Sequence, residues 1–144
     1  MQYGFIRTVS CAPEMRVADV FYNADRATDA IKKAAAEGAE LVVLPRLCLT
    51  GSTCSSLFGQ TALVQKAAVA LYKVACETAS LNCVSVVGLP IAVGGRLLDC
   101  AAVVCRGEVL GITCAKKGIA PFDNGIKGKV TICGTSVPVG TDLV

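Results

Sequence analysis

The apolar positions of the chain follow two different rhythms. In the first half, short continuous apolar runs alternate with stretches of helical spacing. Residues 4–11 predict a strand. Asn23 then suits a helix cap, with Ala24, Ala27, Ile31, Ala34 and Ala35 on one side and Gly38 as the stop. Residues 40–45 are a compact apolar run ending at Pro45, the mark of a buried strand. A polar loop rich in Ser, Thr, Gly and Cys follows over 46–59. A second helix is predicted over 61–80, with Leu63, Ala67, Ala70, Leu71, Val74 and Ala75 at helical spacing. Another buried strand covers 83–89, with Pro90 expected to end it.

Beyond that point the period becomes two. Strands are predicted at 97–105 and 108–114, joined by the tight turn Arg106-Gly107 and preceded by a turn at Gly94-Gly95. A Gly- and Lys-rich loop occupies 116–128. A last hairpin is expected from 129–133 and 136–139, turning at Gly134-Thr135. The order β-α-β-α-β-β-β, then loop and hairpin, predicts an α/β fold: a mixed sheet with two helices on one face, in one domain over residues 1–144.

Composition sharpens this picture. The 144 residues are 53% hydrophobic and only 17% charged, with a mean hydropathy of +0.60. That is more apolar than a small globule with a fully solvated surface should be. A membrane span does not account for it. The longest nearly apolar run, 83–93, holds Gly88 and Pro90 and is far short of the about 20 residues a spanning helix needs. No signal-peptide pattern opens the chain, so a cytoplasmic protein is expected. The apolar excess therefore predicts a surface that belongs against more protein, as a homo-oligomer or with another chain segment. The net charge of +3 comes from 14 basic and 11 acidic residues. The bases are scattered, and Lys116, Lys117, Lys127 and Lys129 read as a solvated loop, so no nucleic-acid partner is expected.

Histidine is absent, which removes Ser-His-Asp and Cys-His catalysis and every His-containing zinc site from this chain. The nine cysteines are odd in number and form no Cys-x-x-Cys pair. Buried free thiols are the expectation, with no metal site.

The polar loop after Pro45 leaves the end of a buried strand, where open α/β sheets place their ligands. Here Leu44-Pro-Arg-Leu-Cys-Leu-Thr-Gly-Ser-Thr-Cys54 resembles a stretch characteristic of the carbon–nitrogen hydrolase (nitrilase) superfamily, and specifically of the glutaminase domain of glutamine-dependent NAD synthetases. The resemblance continues through Arg16-Val-Ala-Asp-Val-Phe-Tyr-Asn-Ala-Asp25, Val86-Val-Gly-Leu-Pro90, Asp99-Cys-Ala-Ala-Val-Val104, Arg106-Gly-Glu-Val-Leu-Gly111 and Val137-Pro-Val-Gly-Thr-Asp-Leu143. It implies part of an α-β-β-α sandwich.

It also implies amide hydrolysis by a glutamate base, an oxyanion-stabilising lysine and a cysteine nucleophile, a set that needs no histidine. No cofactor is implied for this chain, while the full-length family enzyme uses ATP and glutamine. Carried across by residue, the glutamate position holds Arg46, which cannot accept a proton at neutral pH. The following tyrosine position holds Ser52. The lysine corresponds to Lys116, which needs the smallest insertion after Gly111, or to Lys117 when counted back from Pro121. The family's nucleophile lies beyond the match to Gly140-Thr-Asp-Leu143, so the resemblance predicts a truncated domain, inactive by itself. Cys133 reads as a packed strand residue. Cys48 and Cys54 fall where the family carries structural cysteines, with a reactive thiol beside Arg46 as the alternative. Arg46 next to the lysine sets up a like-charge conflict. Two rivals to the inactive domain are a non-catalytic assembly protein built on an exposed sheet, and an enzyme of altered chemistry using Lys116 and a loop cysteine.

Overall fold

A computed structural model describes residues 4–119, 121–132 and 134–141. Seven strands form one sheet in the order β1-β2-β3-β4-β5-β7-β6. The strands are β1 (Thr8–Ser10), β2 (Leu41–Val43), β3 (Val84–Val93), β4 (Arg96–Cys105), β5 (Glu108–Cys114), β6 (Gly128–Ile132) and β7 (Thr135–Gly140). β1, β2 and β3 pair in parallel, β3, β4 and β5 antiparallel; β7 then joins β5 in parallel and β6 antiparallel. Helices α1 (Val20–Ala36) and α2 (Thr61–Glu77) pack together on one face of this mixed sheet. The predicted fold class and the alternation of elements are those observed.

The alternation of β4 separates the two faces. Leu98, Cys100, Ala102 and Val104 point towards the helices and are buried, as are Val42, Val87, Leu89 and Ile112 on neighbouring strands. Ala24, Ala27 and Ile31 of α1 and Ala67, Ala70, Leu71 and Val74 of α2 complete this core. On the opposite face Leu41, Val84, Val86, Ala101 and Val103 are only half-buried, and Val43 is 39% exposed. No element of the described residues covers that face as the helices cover the other.

Several local expectations need correction. The first strand is only Thr8–Ser10. Helix α1 starts ahead of Asn23: Asp19 caps it, its Oδ1 accepting from the Tyr22 N–H at 3.4 Å. Asn23 is instead fully inside, for reasons given below. The loop at 46–59 closes with a 3-10 helix, Ser55–Gly59. Strand β3 does not stop at Pro90 but continues to Val93, with Pro90 opposite Asp99. The Asp99 carbonyl accepts from the Ala115 N–H, so the backbone of Asp99 faces β5 and Pro90 stands in a non-hydrogen-bonded pair. The proline nitrogen thus faces β2, which ends too early to need its hydrogen.

The hairpin turns match their sequence. Val93 pairs with Arg96 across Gly94-Gly95, both at positive φ, and Cys105 pairs with Glu108 across Arg106 (φ 50°) and Gly107 (φ 83°). The last hairpin turns one residue earlier than expected, because Thr135 already pairs with Ile132. Cys133 lies outside the described residues.

Candidate functional site

The loop after β2 is held over the middle of the sheet by backbone bonds. The Leu44 N–H donates to the Val86 carbonyl at 3.0 Å and the Leu49 N–H to the Gly88 carbonyl at 3.2 Å. Between these anchors the chain passes directly over Gly88. A Cβ at Gly88 would stand 2.5 Å from the Leu47 nitrogen and 2.6 Å from the Pro45 carbonyl oxygen. Leu47, at φ 52°, turns the loop, and the Gly51 N–H closes it onto the Leu47 carbonyl at 2.8 Å. Leu47, Cys48 and Leu49 are buried, while Arg46 is left outside.

Asn23 locks this loop to the approach of α1. Its side chain accepts from the Arg16 N–H at 2.7 Å and donates to the Arg16 and Leu49 carbonyls at 2.8 and 3.0 Å. A buried amide with both of its ends occupied satisfies the polar backbone of two loops at once. The Ala18 N–H adds a bond to the Thr50 carbonyl at 2.8 Å.

Arg46 is ion-paired with Asp99, a residue of β4 that sequence reasoning did not single out. The carboxylate is 13% exposed and the guanidinium 51%. The only sequence signal was an acidic residue inside an otherwise apolar strand. Asp99 thereby answers the like-charge conflict expected at Arg46, because the cation has a carboxylate against it. The Phe122 ring lies 5.8 Å from the guanidinium.

Asp99 also connects Arg46 to the lysine loop. Its carbonyl accepts from the Ala115 N–H at 2.9 Å, one residue before Lys116. The loop then docks on the start of β4, where the Leu97 N–H donates to Asp123 Oδ2 at 2.8 Å and the Asp123 N–H to the Leu97 carbonyl at 2.7 Å. Phe122 packs on Phe58 with ring centroids 5.0 Å apart. Lys116 and Lys117 are both exposed, and the Lys116 carbonyl accepts from the Gly125 N–H at 3.2 Å. Ser52 is exposed in the turn closed by Gly51. The fold therefore brings Arg46 and the start of the lysine loop onto one residue, Asp99.

The loop cysteines are not poised as nucleophiles. Cys48 Sγ donates to the Gly88 carbonyl at 3.4 Å, and burial pushes its pKa up to about 11. Cys54 donates to the Thr50 carbonyl at 3.0 Å, and burial raises its pKa too. An apolar cleft of about 740 Å³ lies elsewhere, between α2, the β3–β4 turn and β6, and none of Arg46, Ser52, Lys116 or Lys117 lines it. Among the described residues no group of three or more Cys, Asp or Glu gathers to hold a metal. No helix among them is long and apolar enough to cross a membrane.

The mixed sheet with two helices on one face matches the nitrilase-like fold of solved structures. The structure superposes with a TM-score of 0.83 on a glutamine-dependent NAD(+) synthetase from Cytophaga hutchinsonii, at 22% identity, covering 92% of this chain and 24% of that one. A nitrilase-superfamily amidase from Nesterenkonia gives a TM-score of 0.67 at 22% identity over 90% of this chain and 53% of that one. In sequence the chain is similar to glutamine-dependent NAD(+) synthetases and resembles their nitrilase-like glutaminase domain. It is 32% identical to the Mycobacterium tuberculosis protein over 154 aligned residues, 99% of this chain, and 31% identical to the Xylella fastidiosa protein over 106. The chain spans 22% of the mycobacterial relative's length. No protein-family model matches it.

Proposed function

We propose that the chain is a non-hydrolysing derivative of the glutaminase domain of glutamine-dependent NAD synthetase, a cytoplasmic protein that works by assembly. The observation that carries this reading is Arg46 ion-paired with Asp99 at the position where the family resemblance puts a general base. A guanidinium stays protonated throughout the pH range of amide hydrolysis, so it cannot take a proton from a nucleophile. The Asp99 carboxylate is engaged by that cation, and the two loop thiols are held protonated. Lys116 alone could steady an oxyanion but could not generate one.

Assembly is supported by the half-buried sheet face around Val43, Val86 and Val103, which is apolar and lacks a covering layer among the described residues. A second copy of the chain, or a synthetase-bearing partner, would bury it. The test has two parts. Purified chain incubated with glutamine releases no ammonia above the enzyme-free blank; release that disappears in Lys116→Ala overturns the non-hydrolysing reading. Light scattering after size exclusion gives a mass above that of one chain, and a folded monomer at micromolar concentration overturns the assembly reading.

A further inference from the structure

Cys100 on β4 and Cys114 on β5 stand directly opposite each other on the helix-facing side of the sheet. Both are free thiols and both are buried, at 3% and 5% exposure. The Ala115 N–H bond to the Asp99 carbonyl fixes the hydrogen-bonding register. Asp99 and Ala115 form the hydrogen-bonded pair, so Cys100 and Cys114 form the non-hydrogen-bonded one. Cα atoms in such pairs are about 4.5 Å apart, which falls inside the span of about 4.4–6.8 Å that a disulfide bridges. The Cys100 thiol is held protonated by burial first, then by the neighbouring Cys114 and Asp99.

We propose that Cys100 and Cys114 are a cross-strand dithiol that peroxide converts reversibly to a disulfide within the folded sheet. One thiol takes an oxygen atom from hydrogen peroxide to become a sulfenic acid, releasing water. The other thiol attacks that sulfur, forming the S–S bond and expelling a second water. Two thiols lose two hydrogens and two electrons, and the peroxide is reduced to two waters. Cys114 gives up its approach to the Ile126 and Gly140 carbonyls, at 3.5 and 3.6 Å, when its hydrogen leaves. Those carbonyls lie at the end of the lysine loop and of β7, so the redox state of the pair reaches the segment that follows Lys116. Burial makes the reaction slow and confines it to a small oxidant.

The experiment first blocks the accessible thiols of the folded chain, Cys76 foremost, with iodoacetamide. The chain is then exposed to hydrogen peroxide for hours and mapped by mass spectrometry after digestion without reductant. The expected product is a Cys100–Cys114 linked peptide, about 2 Da lighter than the two thiol peptides together. It reverts on dithiothreitol with the circular dichroism unchanged throughout, and it is lost in Cys114→Ala. Recovery of both cysteines as thiols, under conditions that fully oxidise Cys76 in a parallel unblocked sample, overturns the proposal. So does linkage of either residue to a different cysteine. The wild-type map decides the matter even if the variant does not fold.

Discussion

Replacing Asn23 by alanine tests whether the site loop is held by one buried amide. The side chain is 1% exposed and makes three hydrogen bonds, two to Arg16 and one to the Leu49 carbonyl. Each such bond contributes about 1 kcal/mol net, and a buried partner left unpaired costs about 1–3 kcal/mol. Water entering the small gap would recover part of the loss for Arg16, whose surroundings are partly open, but little for Leu49, which is fully buried. The expected destabilisation is about 3 kcal/mol, a large fraction of the total for a domain of this size. For 144 residues that corresponds to a fall in Tm of about 10 °C. Urea unfolding followed by circular dichroism measures it, with the slope unchanged if only the native state is affected. Asn23→Asp should be comparably harmful, because it keeps the acceptor for the Arg16 N–H but turns a carboxylate towards two carbonyls. A loss below about 1 kcal/mol for Asn23→Ala would refute the reasoning, since it would mean that backbone contacts alone hold the two loops.

Two further outcomes follow from the same loop. Gly88→Ala places a methyl group against the backbone of Pro45 and Leu47, which no rotamer change relieves; a loss of about 3 kcal/mol and rapid proteolysis within 46–54 are expected, and wild-type stability would show that the loop does not lie on β3. Cys48 gives a pH dependence: its thiol ionises near 9.0 in the unfolded chain and near 11 in the folded one, so the unfolded state releases the proton first and rising pH favours unfolding. By pH 11 this removes about 2 kcal/mol, measured as the difference between wild type and Cys48→Ser in urea unfolding at pH 8 and 10.5; parallel pH profiles would rule the effect out.

Much of the fold was legible because its signals are local. The two-residue turns at Gly94-Gly95 and Arg106-Gly107 announce themselves by residues that tolerate positive φ, and the strict alternation of β4 follows from one covered and one uncovered face. The errors share a different cause, which is a partner far away in sequence. Asn23 has the chemistry of a cap, and only the arrival of Leu49, 26 residues later, makes it an interior clamp. Pro90 has the chemistry of a strand breaker, and it is tolerated only because β2 ends at Val43 and leaves its nitrogen without a duty. At the site, Arg46 was visible as a departure from the family pattern, but its counter-charge lies 53 residues away on another strand.

That counter-charge ties the guanidinium to the strand beneath the loop. Asp99 is the more enclosed of the two partners, and a carboxylate at 13% exposure loses much of its hydration. A cation beside it offsets that loss, whereas Arg46, half in water, needs Asp99 far less. The dependence is therefore asymmetric: the acid requires the arginine more than the arginine requires the acid. A second carboxylate at position 46, as the family pattern places there, would stand against Asp99 with the cation of the present pair gone. The resulting repulsion would raise the proton affinity of one of them or push the β2 loop off Gly88. Arg46 and Asp99 thus act as one pair, and a return to the family's base position by changing residue 46 alone works against the strand beneath it.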